Sequence, residues 1–91
     1  LSQISGTFTN NGSSAVVDYV TFATVAASGT WGSGTLSVET TYDNGTTWIP
    51  SDVTTQLSAN GQFNFMISGG PKIRLTLAGA TSPNLKYWLN Y

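Results

Sequence analysis

Thr35 to Pro50 read TLSVETTYDNGTTWIP, and the order of residue types in this stretch decides the fold. From Thr35 to Tyr42 the side chains alternate. Leu36, Val38, Thr40 and Tyr42 fall on one side, and Thr35, Ser37, Glu39 and Thr41 on the other. A period of two is strand geometry. The side with Leu36 and Val38 is expected to face the core, because burying Glu39 without a partner would be costly. Asn44-Gly45 then supplies the positive φ that type I′ or bulged hairpin turns need. Asp43 can accept backbone N–H bonds two or three residues on, and Trp48 is expected to fold over the hairpin base. Asp43, Gly45, Thr47 and Trp48 are therefore read as structural hairpin residues.

The same period recurs downstream. In KIRLTLA, Ile73, Leu75 and Leu77 oppose Lys72, Arg74 and Thr76. In NLKYWLNY, Leu85, Tyr87, Leu89 and Tyr91 oppose Lys86, Trp88 and Asn90. Less regular strands are expected in QISGTFT, in SAVVDYVTFATV (apolar on both faces, with Asp18 on the side of Val16, Val20 and Phe22), in TTWIP and in QFNFMIS. DVTTQLS is open between strand and irregular chain. NNGSS, ASGTWGSG, DNG, SANG, SGGP and GATSPN carry turn chemistry. No window has a helical period and no repeat is visible. The expected fold is all-β: a single antiparallel sandwich, jelly-roll or immunoglobulin-like, of seven or eight short strands over residues 1–91.

Composition narrows function. Of the 91 residues 40% are hydrophobic and only 8% are charged, with a net charge of −1. Soluble proteins average about a quarter charged, so Ser, Thr, Asn and Gly must cover this surface. The absence of a basic patch argues against nucleic-acid binding. No apolar run is long enough to span a membrane as a helix. Cys and His are absent, which removes zinc-type sites and most nucleophile–base pairs. No cofactor is expected. The charges are segregated: Asp18, Glu39, Asp43 and Asp52 precede Lys72, Arg74 and Lys86. Pairing between early and late strands explains this; complementarity between neighbouring copies is the alternative.

The stretch TYDNGTTW also fits the Asp-box pattern [Ser/Thr]-x-Asp-x-Gly-x-Thr-Trp, known from sialidase-type propellers. A sialidase needs an arginine cluster, and Arg74 is the sole arginine here. Nothing in the sequence brings two of its four carboxylates together as a glycosidase pair. A calcium site from Asp43, Asn44 and Asp52 lacks EF-hand spacing. The chain is read as no enzyme.

From Gly29 to Tyr91 the sequence resembles small virion proteins of tailed bacteriophages. The matching positions are Gly34, Asp43, Gly45, Thr47, Trp48, Pro50, Arg74, Leu75, Gly79, Ala80 and Thr81. The resemblance implies a β-sandwich and a particle-building role in the virion, as capsid cement, neck or fibre module. Its partner would be the major capsid protein or another virion protein, and a homo-oligomer, for example a trimer, is expected. A different reading is a carbohydrate-binding adhesin module using Trp31, Tyr42, Trp48 or Trp88.

Trp88 stands on the polar side of its strand, and a bulky indole there suits an interface. Trp31 lies among glycines in a loop. Trp31, Lys86 and Trp88 are the candidate interface residues. The alternative for Trp88 is a bulge that turns it inward or a loop that covers it.

Overall fold

The strand expected in TLSVETTY forms over Thr35–Thr41 (β4) and pairs antiparallel with Lys72–Ala78 (β8), Val38 opposite Leu75 and Glu39 opposite Arg74. Both alternate apolar inward and polar outward, so one register buries two hydrophobic rows at once. These facts come from a computed structural model describing residues 2–18, 21–50, 56–66 and 71–91. The other strands are Gln3–Phe8 (β1), Gly12–Ser13 (β2), Phe22–Thr30 (β3), Ile49–Pro50 (β5), Gln56–Leu57 (β6), Gly61–Met66 (β7) and Asn84–Asn90 (β9). Three of the nine described strands are two-residue pieces, which is why they outnumber the seven or eight expected.

They form two sheets. The first has the order β1-β9-β3-β7; the second has the order β2-β8-β4-β5, with β6 also on β4. β4 gives one side to β8, so β5 and β6 both lie along its other side. The chain changes sheet at every step from β1 to β4, and again from β7 through β8 to β9. An immunoglobulin sandwich keeps its first two strands in one sheet. Alternation between sheets is the jelly-roll solution, and it decides between the two architectures.

The core lies between the sheets. Leu36, Val38, Ile73, Leu75 and Leu77 enter from one side and Ala23, Val25, Ala27, Leu85 and Leu89 from the other, all buried. Tyr87, between Gly6 and Ala27 in the interior strand β9, is half-buried, and its ring meets Phe8 edge-on at 4.8 Å. Gly6, directly opposite Tyr87, makes room for it: a Cβ there would come within 2.7 Å of the Tyr87 hydroxyl.

Three expectations fail locally. Tyr42 does not face the core; it is 71% exposed. β4 ends at Thr41, and the period ends with it, because Thr41 turns inward to serve the following turn. Second, ASGT is not a turn. β3 continues to Thr30, since β9 offers Asn84 and Leu85 as ladder partners for Thr30 and Gly29. The turn itself is Trp31–Gly34, closed by the Gly34 N–H on the Trp31 carbonyl at 2.9 Å. Third, SAVVDYVTFATV is not one strand. Val17 bridges to Ile73 in the second sheet, whereas Phe22 begins β3 in the first. Tyr19, Val20, part of DVTTQLS including Asp52, and most of SGGP lie outside the described residues.

Candidate functional site

β1, β9, β3 and β7 present one continuous outer face, and unbroken register places its side chains in rows. Ser5, Trp88, Ala26 and Gln62 form one row across the four strands. Gln3, Asn90, Thr24 and Asn64 form the next, tied by Gln3 to Asn90 at 2.8 Å and Thr24 to Asn64 at 2.7 Å. Thr7, Lys86 and Ser28 flank the first row on its other side. No bulge interrupts β1–β9 or β9–β3, so Trp88 stays outward, 36% exposed. Ser5, Gly6, Thr7, Lys86, Tyr87 and Trp88 line a shallow hollow of about 210 Å³ beside the indole. Lys86 is the sole charged residue of these four strands. Among the described residues it pairs with no carboxylate.

The opposite face neutralises its own charge. Arg74 donates from Nε to Glu39 Oε1 at 2.8 Å, and the Thr76 hydroxyl donates to the same oxygen. The guanidinium lies over Trp48, 4.0 Å from the ring centroid, a cation–π stack. Burial raises the Glu39 carboxyl, but bonds from Thr76 and Arg74 and the arginine charge outweigh it, so the net shift is downward. Lys72 approaches Asp18 at 3.5 Å. The expected pairing of early acids with late bases therefore holds for these two pairs. Alternation had put Arg74 and Glu39 outward, but nothing in the sequence joined them to Trp48.

The turn after β4 is held by side chains. Asn44 and Gly45 both have positive φ, 61° and 97°, the left-handed region that glycine enters without strain. Thr41 Oγ1 donates to Asp43 Oδ1 at 2.9 Å and accepts from the Gly45 N–H at 2.9 Å. Asp43 Oδ1 also accepts the Thr47 N–H at 2.7 Å, four residues on rather than two or three. The backbone and side chain of Thr47 hold the Asp43 carboxyl below its ordinary value. Trp48 is half-buried and lies near Gly45, as well as over Arg74.

Trp31 sits apart from this geometry. It is half-buried, packs against the core, and gives its indole N–H to Asn60 Oδ1 at 2.9 Å. The same oxygen takes the Gly29 N–H at 3.0 Å. Asn60 is thus a clamp between two turns. Its one legible signal was the turn sequence SANG, which gave no hint of the indole.

For chemistry the described residues offer little. No three acidic side chains come together among them. Asp43 spends its carboxylate on the turn, and Asp52, the other acid of the calcium reading, lies outside the described residues.

No family model matches the chain, and no curated protein matches it in sequence. Two solved structures share its fold along nearly the whole length. The crystal structure of the SPBc2 prophage-derived protein YomS aligns with a TM-score of 0.63 at 15% identity, covering 98% of this chain and 94% of that one. The solution structure of a de novo designed double-stranded β-helix aligns with a TM-score of 0.52 at 14% identity, covering 99% and 97%.

Proposed function

We propose that this chain is a non-enzymatic structural protein of a bacteriophage virion, and more finely a cement protein that decorates the capsid and stabilises the head. The observation that carries the reading is the end-to-end likeness to a prophage-derived protein of nearly the same extent. The side-chain inventory supports it, since a chain without Cys or His has few routes to catalysis. The outer face of the first sheet is the attachment surface in this reading. Trp88 supplies the apolar anchor and Lys86 the charge that a carboxylate of the shell protein would meet. Binding to a shell would also add stability to a small domain by mass action.

Quantitative mass spectrometry of purified particles tests the role. Copy number comparable with that of the shell protein supports cement. A few copies per particle would move the chain to neck or fibre, and absence from particles would refute a virion role.

One observation favours a second reading, a carbohydrate-binding module at a fibre tip. The hollow beside Trp88 is fenced by the hydroxyl-bearing Ser5 and Thr7 and by Lys86, and an indole face with nearby polar groups suits a sugar ring. Glycan-array binding that disappears in Trp88→Ala, together with low copy number, would select it.

A further inference from the structure

β1 is an edge strand whose free groups can be identified. Ser2 and Tyr91 exchange both backbone bonds, N–H to carbonyl at 2.6 and 2.8 Å. In an antiparallel ladder such mutually bonded pairs recur at every second residue. The unbroken register carries them to Ile4–Leu89, Gly6–Tyr87 and Phe8–Leu85. The N–H and C=O groups of Gln3, Ser5 and Thr7 therefore point away from β9. All three residues are exposed, and among the described strands β1 pairs with β9 alone.

Exposed edges are usually blunted by charge, proline, a bulge or a covering segment. Gln3–Phe8 contains no charged residue and no proline, and no bulge breaks it. Its glycine is not a break either, because Gly6 is held against the Tyr87 ring. β7, the other edge of this sheet, runs directly into residues outside the described ones after Met66, whereas every residue from Ser2 to Phe8 is described.

We propose that β1 pairs antiparallel with β1 of a second copy, about a two-fold axis through Ser5. The sequence is self-complementary in that register. Ser5 faces Ser5, and Gln3 faces Thr7 on each side. Each outward N–H then meets an outward C=O, so three residues per strand exchange six bonds in all. No like charges are brought opposite one another. On the inner side Ile4 lies opposite Gly6 of the other copy, where it would pack against the Tyr87 ring that covers that glycine. The two four-stranded sheets become one of eight strands. Both Trp88 side chains fall on the same outer face, one strand from the seam on each side. Three strand spacings separate them, about 14 Å. A dimer built this way presents two copies of the Trp88 surface in one plane, which suits two-point attachment.

The pairing stands independently of the virion role and is tested on the isolated chain by sedimentation equilibrium. The chain is expected to dimerise. Ser5→Pro removes an edge donor that β9 does not use, so the β-type circular dichroism should persist while dimerisation weakens at least tenfold. Ser5→Cys is the second arm, and it introduces the sole thiol of the chain. Mutually bonded residues lie about 5.5 Å apart between Cα atoms, within disulfide range, so mild oxidation should trap a folded covalent dimer. A wild-type chain that stays monomeric would overturn the proposal, as would a dimer that survives Ser5→Pro. If Ser5→Pro fails to fold, Ser5→Cys decides: a dimer that cannot be cross-linked through Cys at position 5 uses another surface.

Discussion

Arg74 and Glu39 sit directly opposite each other on β8 and β4 and join through one bond, Nε to Oε1 at 2.8 Å, under the ring of Trp48. One arginine thus links a sheet register to the segment that follows the Asp43 turn. The pair is mostly covered, with 26% and 18% of the side chains exposed. Its contribution is expected at the upper end of the range for open surface bridges. A double-mutant cycle with Glu39→Gln and Arg74→Met should give a coupling of about 1 kcal/mol, from ion pairing and hydrogen bonding together. Trp48→Leu should lower stability by a further ~0.5–1 kcal/mol through loss of the cation–π stack. Coupling indistinguishable from zero in urea denaturation would show that the pair is incidental.

Acid should destabilise the domain through the same carboxylates. Glu39 and Asp43 both titrate lower in the folded chain than in the unfolded one. Each contributes stability that is fully present above the ordinary carboxylate range, near pH 4. That stability is lost as pH falls through the lowered folded values. Melting temperature should therefore be level near neutrality and drop below about pH 4. Glu39→Gln should flatten the drop. A profile unchanged by that substitution would remove Glu39 from the explanation.

The Asp43 turn is expected to be a stability element. Asp43→Ala leaves the Thr47 N–H and the Thr41 hydroxyl without their shared acceptor and should lower the denaturation midpoint. Gly45→Val forces a β-branched residue to a φ of 97° and should cost about 1–3 kcal/mol. Unchanged midpoints with loss of a ligand-binding activity would make the turn a binding site instead.

Chelation should have no effect. EDTA is expected to leave the melting temperature unmoved, because Asp43 is committed to Thr41 and Thr47. A drop of several degrees would restore the calcium reading with Asp43 and Asp52.

The legible part of the fold was the part governed by period two. Leu36, Val38, Ile73, Leu75, Leu77, Leu85 and Leu89 are all buried, and each stands in a run where polar neighbours mark the other face. The sandwich follows from three such runs separated by turn chemistry. Strand order did not follow, because the pairing of β1 with β9 and of β4 with β8 joins residues far apart in sequence, and alternation carries no information about partners. Local chemistry also misled. Ser28, Gly29 and Thr30 have turn composition, yet the ladder offered by β9 holds them extended. Tyr42 has the right period but lies one residue past the end of β4. For the candidate surface, the outward placement of Trp88 and Lys86 could be read from their strand. The hollow beside Trp88 could not, because Ser5 and Thr7 reach it only through the β1–β9 pairing.

Trp88 gives the most direct test of the attachment surface. Trp88→Ala should leave the β-type circular dichroism and the denaturation midpoint of the isolated chain close to wild type. Cosedimentation with phage heads lacking the protein should weaken by about 2 kcal/mol or more, roughly thirtyfold, as expected for a central aromatic anchor. A variant that binds heads as tightly as wild type, or one that unfolds because the indole supports the fold, would contradict the assignment of this face to attachment.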